Sequence, residues 1–207
     1  MQIVGELIWK GRAWPAAEIA SRTGDDFVFK TSGHGRPIEL AGPAAWWRNF
    51  SELDLDDPVA VVGFVKRRGD PSGILSPSTQ SDSSSWFDIA APLKLAATCW
   101  TRNRGESACV PQVGFMEALA SSREFRERIN YVPYVWDGAF SVRLNAETLA
   151  AFMITSAILH LHSRVDMAVC QHCGDWFELK RRGSMYCSPS CRAAASTEAK
   201  KGRNDHG

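Results

Sequence analysis

The chain has almost no net charge. Its 24 Lys and Arg stand against 23 Asp and Glu, a formal +1 over 207 residues. No whole-protein field therefore draws it to nucleic acid or to a membrane surface. Long hydrophobic runs are missing too. The longest, 149–161, is interrupted by Thr155, Ser156 and His160 and is too short to span a bilayer. The opening residues, MQIVGELIWKGRAW, lack the basic segment and long apolar stretch of a secretory signal. No internal repeat is visible. His34 sits in TSGHGRP, which lacks the strand, helix and lysine of a phosphate loop and reads as a turn. No Ser or Cys nucleophile has a recognisable local partner, so the sequence makes no case for an enzyme. These absences lead to the expectation of a cytoplasmic protein in a reducing compartment, with no membrane partner.

What is present is enough apolar material for an ordinary core, 44% hydrophobic against 23% charged. The chain changes character at 70–85, DPSGILSPSTQSDSSS, which holds seven serines, two prolines and a glycine and reads as a mobile loop or linker. Residues 1–69 look mixed. Strand-like residues fall at 3–9 and 27–30. A short helix is expected over 43–50, where Trp46, Trp47 and Phe50 can share a face. Segment 59–68 is ambiguous, since VAVVGFV suits a strand while Pro58 and the closing basic residues suit a short helix. Residues 86–165 are more helical and are expected to share a domain with 1–69. Trp86, Ile89, Ala90, Leu93, Ala97 and Trp100 fall at helical spacing, and 112–129 continues as helix. Residues 131–144 suit extended chain. Asn145 is a candidate N-cap for a long helix to about Arg164. The expected fold is α+β with a mainly helical C-terminal half.

The most specific signal lies in 166–207. Cys170, Cys173, Cys187 and Cys191 read C-x2-C, thirteen residues, C-x3-C. Two close pairs at this separation suit one Zn²⁺ in four thiolates, which leaves no open ligand position and so describes a structural ion. Cys99 and Cys109 pair with nothing obvious and read as buried thiols. Gly174 follows the second cysteine, where positive φ is often required. DWFEL, 175–179, can start a hairpin strand, with 180–183 as its turn and 184–186 as the return. Ser188 is a suitable N-cap and Pro189 a suitable first helical residue, so Cys187 and Cys191 flank a helix start whose amides favour thiolate. Knuckle, hairpin and helix in this order are those of a treble clef.

This stretch, C-x2-C-G-x-W-F, a basic turn, then Y-C-S-x2-C-R-x-A-A, resembles the CGNR-type zinc fingers of bacterial proteins. The segment 47–71, with SELDLDDP and FVKRRGDP, is similar to upstream text in proteins carrying that finger. The resemblance implies a finger closing a mostly helical chain and suspected of binding DNA, within a bacterial regulatory protein. Where the family has Gly-Asn-Arg after the last cysteine, this chain has Arg192-Ala193-Ala194.

Candidate phosphate contacts are Lys180, Arg181 and Arg182 at the turn, with Arg192, Lys200, Lys201 and Arg203 on and beyond the helix. Seven cations face four acids across 170–207, a formal +3. Four thiolates around Zn²⁺ contribute about −2, leaving about +1 for the finger. Two readings follow. In one, the finger contacts DNA while the upstream domain senses a ligand or mediates assembly. In the other, the zinc is purely structural and the chain binds a protein partner or itself. Eight tryptophans suit core packing better than a ligand cage, with Trp176 and Phe177 expected to cover the metal. His160 and His162 face different ways on a helix and His172 is surplus to four thiolates. Asp54, Asp56 and Asp57 read as helix-start acids beside Pro58 rather than cation ligands.

Overall fold

The chain opens with four short strands, β1 (Glu6–Ala13), β2 (Glu18–Thr23), β3 (Asp26–Lys30) and β4 (Arg36–Ala41). Two helices follow, α1 (Trp46–Ser51) and α2 (Pro58–Arg68). Strand β5 (Gln80–Asp82) leads to α3 (Trp86–Arg102), α4 (Cys109–Ser121) and α5 (Arg123–Glu127). A hairpin of β6 (Ile129–Trp136) and β7 (Ala139–Ala146) precedes α6 (Leu149–His162). The chain ends in β8 (Met167–Val169), β9 (Trp176–Glu178) and α7 (Pro189–Asn204). The computed structural model describes residues 6–23, 26–76, 80–82, 86–102 and 109–204.

The fold is mixed α and β. Three sheets are ordered β4-β1-β7-β6, β2-β3-β5 and β8-β9. Strand β1 pairs antiparallel with β4 and parallel with β7, so the first strand and a strand near residue 145 lie side by side. Helix α6 packs on this sheet. It is buried continuously from Leu149 to Ala157 and again at His160, apolar nearly all round as a central helix must be. A second focus is Trp86, fully buried among the rings of Phe27, Phe29, Phe50 and Phe64, with centroids 5.6–6.3 Å away. One cluster of buried apolar residues runs from Leu7 through Trp86 to Met167, drawing on both sides of 70–85.

Local chemistry decided several boundaries. Segment 58–68 is a helix because Pro58 stands at its first turn, the Asp57 carboxylate accepts from the Val59 N–H at 2.9 Å, and three basic residues close it. It stops at Gly69 (φ 105°), where a Cβ would lie 2.4 Å from the Arg12 carbonyl oxygen. The expected helix over 112–129 breaks at Ser122, whose hydroxyl caps α5 by accepting from Phe125 N–H at 3.4 Å. Asn145 is not a cap. It lies in β7, opposite Asn130, and the cap of α6 is Thr148, which accepts from Ala151 N–H at 3.1 Å. The extended stretch 131–144 is a hairpin turning at Asp137-Gly138, both at positive φ as a type I′ turn demands.

The serine-rich segment is not a free linker over its described part. Asp70 is buried, and its carboxylate accepts from the N–H groups of Ser72, Ile74 and Leu75 at 2.8–3.1 Å. Burial raises the Asp70 pKa, opposed by these three donors. Leu75 joins the core, and β5 pairs with β3. Residues 77–79 and 83–85 of that segment, and the side chain of Cys109, lie outside the described residues.

Candidate metal centre

The first cysteine pair sits in the connection between β8 and β9. The Cys170 N–H donates to Asp175 O at 2.9 Å and Gly174 N–H to Cys170 O at 3.0 Å, closing a tight knuckle. Gly174 has φ 74°, the left-handed conformation the knuckle needs. This turn sets the strand pairing. Val169 lies opposite Trp176 and Met167 opposite Glu178, so β9 pairs backward with β8. The expected forward pairing with 184–186 does not form, because the knuckle itself is the hairpin turn and delivers 175–178 straight onto 167–169. Residues 184–186 instead meet the knuckle through Gln171 N–H, which donates to Met185 O at 3.0 Å.

The second pair straddles the start of α7. Ser188 Oγ accepts from Cys191 N–H at 3.1 Å, and Pro189 opens the helix. All four sulfurs lie within 4.8 Å of one another. Cys187 Sγ is 3.6 Å from Cys173 Sγ and 3.5 Å from Cys191 Sγ. Thiolates about 2.3 Å from a tetrahedral ion stand about 3.8 Å apart, so the cluster has the dimensions of a metal site rather than of disulfides. It is the one such cluster among the described residues; Asp54, Asp56 and Asp57 do not make another. Asp56 pairs with Arg22 at 2.7 Å, and Asp57 is the cap of α2.

The thiols differ in electrostatics. Cys170 is buried, which raises its pKa, but the N–H groups of Cys173, Cys187 and His172 outweigh burial and bring it down to about 6. Burial pushes the Cys173 thiol up, and burial with the neighbouring Cys191 pushes up Cys187. The helix start therefore does not by itself ionise Cys187; a cation is what would hold four thiolates together here. His172 takes no part in the sulfur cluster. Its Nδ1 is 3.4 Å from Glu198 of α7, tying knuckle to helix.

Side chains that no motif singled out seat this unit on the rest of the chain. Asn49 of α1 clasps the Trp176 peptide: its Oδ1 accepts from Trp176 N–H at 2.7 Å, and its Nδ2 donates to Trp176 O at 3.1 Å. The Trp176 indole, expected over the metal, instead donates to Glu52 at 2.6 Å, meets Trp100 edge-on at 5.6 Å and carries the Arg48 guanidinium 4.5 Å above its ring. Arg68, 6% exposed, pairs with Asp175 at 2.8 Å. His160 is fully buried. Its Nδ1 accepts from the Trp47 indole N–H at 2.9 Å, so the ring proton is on Nε2, which lies 3.3 Å from Glu178. Apart from Trp100 with Trp176 and His160 with Glu178, every one of these pairs joins residues more than 100 positions apart.

The basic residues sort differently from the acids. Lys180, Arg181, Arg182 and Arg192 are exposed and form no ion pair among the described residues. Lys180 and Arg192 line a common cleft; Arg181 and Arg182 stand at the adjoining turn, outside its lining. Lys200 and Lys201 lie on α7 with side chains outside the described residues, as does that of Arg203.

A closed set of four cysteines offers a metal no vacant position, so the arrangement can organise a fold but not activate a substrate. No helix among the described residues is long and apolar enough to cross a membrane. No protein-family model, curated protein or solved structure matches the chain.

Proposed function

We propose that the protein is a zinc-stabilised regulator that binds DNA through its C-terminal finger, a treble-clef-like unit of the CGNR type with Arg192-Ala193-Ala194 in place of Gly-Asn-Arg. The ion is Zn²⁺, structural, held by Cys170, Cys173, Cys187 and Cys191, the choice that four closely spaced thiolates favour in a reducing cytoplasm. The upper body would sense a ligand or mediate assembly.

One observation carries the nucleic-acid reading. The described acids of the finger are turned inward or onto its own histidine: Asp175 to Arg68, Glu178 to His160 and Glu198 to His172. Its cations, Lys180, Arg181, Arg182 and Arg192, are left on the outside. The exposed charge left without an ion-pair partner is basic, and screening over about 8–10 Å means that local charge decides phosphate contact. The test is a binding titration of duplex DNA at several salt concentrations. Replacing Lys180, Arg181 and Arg182 by Ala should lower the magnitude of the slope of log K on log salt by about 2.7, three phosphate contacts' worth. Equal affinity and equal slope for the two proteins would sink the reading.

A second reading, self-association, is favoured by the β6–β7 hairpin. Directly opposed residues share a face, and Tyr131–Leu144 and Val135–Phe140 put exposed Tyr131, Val135 and Phe140 on one side of it. Light scattering checks it: a strict monomer at high concentration argues against.

A further inference from the structure

The finger and the upper body form an open cleft of about 560 Å³ beside Cys187. Its size falls within the about 300–1,000 Å³ of small-ligand sites. From the upper body it is lined by Trp46 at the start of α1, and from the finger by Phe177 and Tyr186. Lys180 and Arg192 also line it. Trp46 and Tyr186 are half-buried, so each keeps part of its ring accessible. Trp46 is held in place by Trp9, edge-on at 6.2 Å, and by buried Arg68, whose guanidinium lies 5.5 Å from the ring centroid. Of the two carboxylates in the lining, Asp175 is paired with Arg68 at 2.8 Å, and Glu178 lies 3.3 Å from His160 Nε2. Lys180 and Arg192 are the cations of the lining that no carboxylate holds.

We propose that this cleft takes one unpaired nucleotide, its base against Trp46 and Tyr186 and its phosphate between Lys180 and Arg192. The inference rests on the nucleic-acid reading above and sharpens it from duplex to a strand end, gap or extruded base. Planar π-faces beside unpaired cations are the combination that binds unstacked bases with little regard to sequence. A paired base has its faces covered by its neighbours and offers nothing to such walls. The walls come from opposite ends of the chain, so the cleft exists only while the metal-bearing unit is seated on α1 and α2.

The experiment uses the full-length, zinc-loaded protein and three labelled probes: a blunt duplex, the same duplex with an unpaired overhang, and a single strand. The overhang should bind at least about fivefold more tightly than the blunt duplex, the low end of base stacking on one aromatic ring. Tyr186→Leu and Trp46→Leu should each remove that gain while zinc content and blunt-duplex affinity stay as in wild type; Tyr186→Phe should keep it. Should Trp46→Leu fail to fold, Tyr186→Leu on the finger carries the test. Displacement of the overhang by a free nucleoside monophosphate would assign the site to a nucleotide alone, and no displacement would assign it to a nucleotide within a strand; each supports the cleft. Equal affinity for blunt and overhung duplex, or a gain that survives Tyr186→Leu, overturns this inference and leaves duplex binding intact. No binding of any probe overturns the underlying reading as well.

Discussion

Replacing Asn49 by Ala tests the seating of the metal unit at its most defined point. The Asn49 amide satisfies both the N–H and the C=O of Trp176, at 2.7 and 3.1 Å. Alanine removes both bonds and leaves a part-buried peptide group without its partners. At about 1 kcal/mol per net hydrogen bond, plus a share of the penalty for an unpaired buried group, the loss is about 2–3 kcal/mol. For a chain of this length that lowers the melting temperature by roughly 4–12 °C. Asn49→Asp is the sharper variant. It keeps the acceptor for Trp176 N–H but sets a carboxylate oxygen against Trp176 O, so it should cost at least as much as alanine despite its near-identical shape. The assay is thermal unfolding of zinc-loaded protein, with metal content matched between variants. A shift under about 1 °C for both variants would show that the finger is held elsewhere and would refute the reasoning.

Other outcomes follow from the same geometry. Trp86→Ala should cost about 3–5 kcal/mol, read as a fall in the urea midpoint, because it empties the centre of a four-phenylalanine cluster. Metal binding at pH 7 should release no more than about three protons, since Cys170, at about 6, has already lost its own. Affinity rises with pH because thiolates are the ligands, and the Cys170 contribution to that rise is confined to the region below and around pH 6. Calorimetry in buffers of different ionisation enthalpy measures the count, and four protons at pH 7 would contradict it.

The four-cysteine cluster was legible in the sequence because its information is local. Cysteines three and four positions apart, a glycine after the second and Ser-Pro before the last each act within a turn, so no knowledge of distant chain was needed. The same holds for α2, where Pro58 and the closing basic residues outvoted a strand-like VAVVGFV. Asp137-Gly138 carried an equally local hairpin signal that the extended reading of 131–144 left unused. What local patterns could not supply was the docking. Asn49, Arg68 and His160 are ordinary polar residues on helices, and nothing near them in sequence says that Trp176, Asp175 and Glu178 are their partners. For that reason local pattern puts Trp176 over the cysteines, whereas its indole is committed to Arg48, Glu52 and Trp100. The same distant pairings engage Asp175 with Arg68 and bring Glu178 to His160, which a summed charge of about +1 does not show.

The bound ion is the central claim. Metal analysis with X-ray absorption at the zinc edge on the purified full chain tests it most directly. The expected result is one zinc per chain with four sulfur ligands at about 2.3 Å. Far less than one zinc per chain in unchelated protein, or nitrogen and oxygen ligands in place of sulfur, would contradict it.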